Sequence, residues 1–141
     1  MAAERKSQRR AVQKPQTVLI VEDDLLVRIS TGDFLRDCGF DVIEVGTAAE
    51  AFTVFDSTSF QVDILFTDVR LPGPMDGFGL AQWTRINKSD VKIILTSGIA
   101  RMTEDARKLC AESDFMPKPY NPAEVEERIR VLLAERNKTK F

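Results

Sequence analysis

The sequence predicts an α/β fold in which five parallel strands form a doubly wound sheet, order 2-1-3-4-5, with helices on both faces. Three observations carry that expectation. Short apolar runs alternate with stretches of helical periodicity five times along the chain. The runs at 17–21, 62–67 and 91–96 are dominated by Val, Ile, Leu and Phe, the composition of strands buried on both faces. Turn and capping residues stand at the boundaries between the runs, and right-handed crossovers then join the strands.

Taken in order, residues 17–21 form the first strand, followed directly by Glu22, Asp23 and Asp24. A helix over about 24–38 places Val27, Thr31, Phe34, Leu35 and Cys38 on one stripe; acids suit its first turn and Gly39 its end. Residues 41–45 form a second strand. Thr47-Ala48-Ala49-Glu50 reads as a capping box opening a helix to about Ser57. The third strand, 62–67, ends at Asp68, and a loop with Pro72, Gly73 and Pro74 leads to a helix over about 77–87. The fourth strand covers 91–96 and is broken by Gly98; a helix from 101 or 103 to 111 follows. The fifth strand is short, 114–117. Asn121-Pro122-Ala123-Glu124 combines an N-cap, proline in the first turn and a glutamate three residues after the cap. The last helix carries Val125, Ile129, Leu132 and Leu133 on one face, and residues 137–141 read as a frayed tail.

A chain of 141 residues is one domain's worth, and 43% hydrophobic with 30% charged residues is ordinary for a globular protein. No apolar run approaches bilayer length and no apolar signal region follows the charged start, so the expected location is cytoplasmic, with no membrane partner. Cys38 and Cys110 lack metal-like spacing and sit on apolar helical faces, which predicts buried free thiols. Histidine is absent, which removes histidine-activated nucleophiles, the usual zinc sites and any role as a phosphohistidine carrier. The net charge is −2; Arg5, Lys6, Arg9, Arg10 and Lys14 against Glu4 give the first fourteen residues +4, leaving −6 for the rest. The basic arm, 1–15, reads as a solvated tail, and no nucleic-acid partner is expected.

The chemistry lies at the carboxyl ends of the strands, where ligands bind in open α/β sheets. Strand order 2-1-3-4-5 makes the first and third strands neighbours, so Glu22 and Asp23 come close to Asp68. Three carboxylates so placed repel, and one would hold its proton unless a cation intervened. Hard oxygen ligands suit Mg²⁺. Thr96 ends the fourth strand with a hydroxyl, and Lys118 follows the fifth with an ammonium. Metal, hydroxyl and ammonium around one carboxylate form a cradle for a phosphoryl group, whose transfer needs positioning and charge neutralisation. Singly, each residue has a plainer structural reading. Glu22 and Asp23 could cap a helix, Asp68 could open a turn, Thr96 could be an ordinary strand residue and Lys118 a solvated charge. Their joint placement at four strand ends is what argues for chemistry.

Val18-Leu19-Ile20-Val21-Glu22-Asp23-Asp24, Asp68 with Leu71-Pro72 and Met75-Asp76-Gly77, Leu95-Thr96-Ser97-Gly98, and Phe115-Met116-Pro117-Lys118-Pro119-Tyr120 together resemble the receiver domain of two-component response regulators, over about residues 15–135. The resemblance implies a flavodoxin-like fold for a receiver over 16–136. It implies that Asp68 accepts a phosphoryl group from the phosphohistidine of a sensor histidine kinase or a histidine phosphotransfer protein. Mg²⁺ (or Mn²⁺) would be bound by Asp68, by Asp23, by Glu22 directly or through water, and by the backbone carbonyl of Arg70. Thr96 and Lys118 would contact the phosphoryl oxygens, the Lys118-Pro119 bond would be cis, and Thr96 with Phe115 would form the switch. The fourth helix, fifth strand and fifth helix would make the output surface and the surface of a homodimer. No enzyme is implied beyond self-phosphorylation and self-dephosphorylation at Asp68.

The sequence departs from the family pattern in three places. Phe115 lacks a hydroxyl, so it would switch by packing alone or serve as core. The loop 71–77 is one residue longer than the commonest form. Arg70 and Gly98 stand two beyond Asp68 and Thr96, where the family tunes dephosphorylation. The chain reads as a stand-alone receiver with no output domain after it. Three rival readings remain. One is a constitutive interaction module of the same fold that is never phosphorylated. Another is an aspartate-dependent phosphatase, which would want a second Asp where Arg70 stands; the third is a flavin binder, which would want a hydroxyl- and glycine-rich loop after the first strand.

Overall fold

Five parallel strands, β1 (Thr17–Val21), β2 (Asp41–Val45), β3 (Ile64–Asp68), β4 (Lys92–Ser97) and β5 (Asp114–Pro117), lie in the order β2-β1-β3-β4-β5. Among the described residues four helices accompany them: α1 (Leu25–Asp37), α2 (Ala48–Asp56), α3 (Gly77–Asn87) and α4 (Pro122–Thr139). This is a computed structural model, and it describes residues 14–98 and 114–139. The helix expected between the fourth and fifth strands, Cys110 with it, and residues 1–13 of the basic arm lie outside the described residues.

Successive strand residues face opposite sides of a sheet, so each strand feeds two cores. Leu19, Val21, Leu65, Ile93 and Leu95 point to one face, where α2 and α3 cover them with Ala48, Ala51, Val54, Phe55, Leu80 and Ala81. Val18, Ile20, Ile64, Phe66, Ile94 and Met116 point to the other, beneath Leu35 of α1 and Val125, Ile129, Leu132 and Leu133 of α4. All five residues of β3 are buried, because it sits mid-sheet under helices on both sides.

The helix boundaries have local causes. Asp24 caps α1, its carboxylate accepting from the amides of Leu26 at 3.0 Å and Val27 at 3.3 Å. The acids expected in the first turn of α1 therefore precede it, and Glu22 and Asp23 stay in the turn after β1. Gly39 ends the helix with φ +98°, while its amide and that of Phe40 satisfy the carbonyls of Arg36 and Leu35. Thr47 caps α2 through the amide of Glu50, but the Glu50 carboxylate reaches back to the amide of Gly46, one residue earlier than a capping box requires. Asn121 accepts from Ala123 and opens α4.

Several boundaries move from their sequence positions: β3 begins at Ile64, later than the expected 62, and β4 at Lys92 instead of 91. β3 includes Asp68, which pairs with Thr96, and β4 extends to Ser97, which pairs with Pro117; each is held in the ladder by the strand on one side. The last helix runs past the expected fray at Asn137 to Thr139, its final turns tied down by Arg136, which donates to Asp63 at 3.0 Å. Cys38 is a free thiol and only half-buried, because it caps the end of α1 instead of lying within the stripe.

Ile129 is fully buried between α4 and the sheet. We predict that Ile129→Ala lowers unfolding free energy by about 2–5 kcal/mol in urea denaturation, the usual cost of a large-to-small change in a packed core.

Candidate functional site

The alternation that builds the second core also delivers the polar residues. Val18 and Ile20 are followed in the same phase by Glu22, Ile64 and Phe66 by Asp68, Ile94 by Thr96, and Met116 by Lys118. Where the apolar run stops at each strand end, the next position on this face carries a functional group. The four therefore gather at the carboxyl edge of the sheet, on the side covered by α1 and α4.

The geometry is close. Lys118 Nζ lies 2.8 Å from Asp68 Oδ2 and also donates to Glu22 Oε1. Glu22 is 2% exposed and Asp68 8%, whereas Asp23 is exposed. Glu22, Asp23 and Asp68 each bring a carboxylate oxygen within 4.8 Å of the others. Thr96 is buried and is the register partner of Asp68 across the β3–β4 ladder; the Thr96 carbonyl accepts from the amide of Val69 at 2.9 Å. The Arg70 amide donates to Asp68 Oδ1 at 3.1 Å, while its side chain is exposed. The Lys118–Pro119 peptide bond is cis. Phe115 is half-buried against the α2–α3 core, on the face away from Lys118.

Burial sets the electrostatics. Desolvation holds the Glu22 carboxyl above its ordinary range, even though the Lys118 ammonium and the Asp24 amide both favour its charged form. For Lys118 burial acts the other way and would lower the pKa. Its hydrogen bonds to Asp68 and Glu22, with their charges, outweigh that and hold it above the ordinary 10.5. The ammonium is thus the counter-charge of two buried acids. The donor set around it is all oxygen, three carboxylates within reach of one point, which fits a hard divalent cation such as Mg²⁺ or Mn²⁺.

Three supporting features were not found from the sequence. A Cβ on Gly77 would overlap the Asp68 carbonyl, so only glycine lets α3 start against the end of β3; the glycine following Asp76 was the available signal. Tyr120 stacks edge-on against Phe66 with ring centroids 5.4 Å apart, and its hydroxyl meets Thr31 of α1 at 3.2 Å. That tie fastens the turn after Lys118 to α1, and no sequence signal links residues 89 apart. Arg28 of α1 donates to the Glu22 carbonyl at 3.0 Å.

Residues 18–130 match the family model described as response regulator receiver domain. The chain belongs to the response regulator receiver domain family. The receiver is 30% identical over 131 residues to a probable transcriptional regulator, ycf27, of Guillardia theta, covering 92% of this chain and 50% of the relative. It is 34% identical over 125 residues to the sensor kinase CckA of Brucella abortus, covering 86% of this chain and 13% of the kinase. The receiver thus spans about half the length of the first relative and a small part of the second. Among solved structures it resembles a CheY-like receiver domain protein from Methanospirillum hungatei, with a TM-score of 0.80 at 26% identity over 89% of this chain and 99% of that one. It also resembles a response regulator receiver protein from Sinorhizobium medicae, with a TM-score of 0.78 at 28% identity over 87% and 98% of the two chains. No helix among the described residues is long and apolar enough to cross a membrane.

The raised Lys118 pKa has a signed consequence. The folded state keeps a proton that the unfolded chain gives up, so the Lys118 contribution is complete below about pH 10.5 and declines as pH rises above it. We predict that the denaturant midpoint of the wild type falls more steeply between pH 9.5 and 11.5, roughly, than that of Lys118→Met. Parallel slopes would show that the ammonium is not the stabilising partner of the two acids.

Proposed function

We propose that this receiver accepts a phosphoryl group on Asp68 from the phosphohistidine of a sensor histidine kinase or a histidine phosphotransfer protein, and signals through protein contacts. The supporting observation is the closed constellation in which Lys118 Nζ touches both Asp68 and Glu22, with Asp23 alongside. A carboxylate oxygen of Asp68 forms the new bond to phosphorus as the bond from phosphorus to the donor imidazole nitrogen breaks, and that electron pair returns to the imidazole. Lys118 balances charge on the phosphoryl oxygens, and the Thr96 hydroxyl, adjacent on the ladder, donates to one of them. Asp23, Glu22, Asp68 and the carbonyl of Arg70 would hold Mg²⁺ or Mn²⁺, which when bound neutralises further phosphoryl charge. The chemistry is confined to labelling and hydrolysis at Asp68 within a receiver over 16–136. A new dianionic group then favours a second packing of Thr96 and Phe115, read out at β5, α4 and the segment between β4 and β5, where a second copy could also pair.

An apolar groove of about 580 Å³, with Lys118 in its lining, supports a seat for the donor. Leu26 and Val27 of α1 line one wall, Pro119, Tyr120 and Pro122 the other, and Lys118 lies at its edge. Leu26 is 79% exposed there. A helix carrying the phosphohistidine would cover that apolar wall while presenting phosphorus to Asp68.

Incubation with acetyl phosphate and Mg²⁺ should add the mass of one phosphoryl group, and Asp68→Asn should add none. Label retained in Asp68→Asn would place the acceptor elsewhere, and a wild type that takes no label would leave a constitutive interaction module. For the groove, we predict that Leu26→Glu slows transfer from a phosphorylated histidine phosphotransfer protein by about tenfold, the effect of charging an apolar anchor, yet leaves acetyl phosphate labelling unchanged. Equal slowing with both donors would mean that Leu26 acts on the acids and not on docking.

A further inference from the structure

Arg28 has contacts that lead back to the acid pair. Long helical side chains lean toward the helix N-terminus, and Arg28, in the first turn of α1, leans over the turn that carries Glu22 and Asp23. Its Nη1 donates to the Glu22 carbonyl at 3.0 Å, and its buried Nε, which makes no hydrogen bond, stands 3.7 Å from Glu44 Oε1. The second oxygen of Glu44 lies 2.7 Å from Arg36.

Two glycines make this arrangement fit. A Cβ on Gly32 would lie 2.5 Å from Glu44 Oε2, so glycine at this point of α1 is what lets the β2 carboxylate settle between Arg28 and Arg36. A Cβ on Gly46 would lie 3.0 Å from Arg28 Nη1, crowding the guanidinium. Glu22 is then tied on every polar group: its amide to the Val45 carbonyl at 3.0 Å, Oε2 to the Asp24 amide at 3.1 Å, Oε1 to Lys118, and its carbonyl to Arg28. Of these ties, the one to Arg28 is the one that fastens Glu22 to the body of α1.

We propose that Arg28 is a positioning residue for the acid pair, pinning the Glu22 carbonyl so that Glu22 and Asp23 hold the spacing a divalent cation needs, while Glu44 cancels the guanidinium charge that would otherwise repel that cation. Groups that orient ligands without touching the ion commonly contribute one to two orders of magnitude in affinity. Arg36 supplies the control. It pairs with Glu44 as Arg28 does, but its other partners are Asp33 and the Val42 carbonyl, and it does not touch Glu22.

The inference rests on the acid pair being a metal site, so the test has one readout with metal and one without. Mn²⁺ affinity of the unphosphorylated protein is measured by calorimetric titration, and exchange of the Asp24 amide by NMR in metal-free buffer. Arg28→Ala should raise the Mn²⁺ Kd about tenfold and speed Asp24 exchange, whereas Arg36→Ala should hold both within about twofold of the wild type at a similar Tm. An Arg28→Ala protein with wild-type Kd and wild-type exchange overturns the proposal, as does an Arg36→Ala protein weakened to the same degree. A wild type that takes up no Mn²⁺ sinks the metal reading instead, and Asp24 exchange then decides the clamp by itself.

Discussion

The ammonium of Lys118 lies against Asp68 and Glu22, and the order at this end of the molecule depends on that contact. Glu22 leaves β1, Asp68 ends β3 and Lys118 follows β5, so one side chain spans the edge of the sheet from strands that are remote in sequence. Two acids buried this deeply would be costly without a counter-charge, by several kcal/mol per ion. The ammonium offsets that cost and keeps the carboxylates together. Asp23 stands exposed beside them, with a carboxylate oxygen within 4.8 Å of both.

Why the site lies on one side of the sheet follows from strand alternation. The face that carries Val18, Ile20, Ile64, Phe66, Ile94 and Met116 is the face that carries the functional groups one step further on. The helices over that face are α1 and α4, and contacts from α1 reach the site: Arg28 to the Glu22 carbonyl, and Thr31 to Tyr120, two residues after Lys118. Phe115 takes the opposite phase and packs with the α2–α3 core. A phosphoryl group on Asp68 and a repacking of Phe115 would thus lie on opposite faces of the sheet, with β4 and its Thr96 between them.

The departures from the family pattern have uneven weight. Arg70 contributes its amide to the Asp68 carboxylate and leaves its side chain in solvent. Gly77 sets the limit on the longer 71–77 loop, since α3 must begin against the carbonyl of Asp68. Gly98 follows β4, and among the described residues a Cβ there would meet the Lys118 Cβ, at 4.0 Å.

Much of the fold was written in local pattern. Apolar runs, helical stripes and the caps at Thr47 and Asn121 are decided by neighbours a few residues away, and the alternation of strands with helices then leaves few sheet orders available. The candidate acids, Thr96 and Lys118 were legible for the same reason: each follows an apolar run at a strand end. What only the tertiary structure decided were contacts between residues whose types have many uses. Nothing local tells that Arg28 turns to the Glu22 carbonyl instead of solvent, that Glu44 sits over Gly32, that Tyr120 meets Thr31, or that α4 holds to Thr139 because Arg136 finds Asp63. Local propensity acts through the chain and can be read from it; these ties act through space, and their partners exist only once the sheet has brought them together.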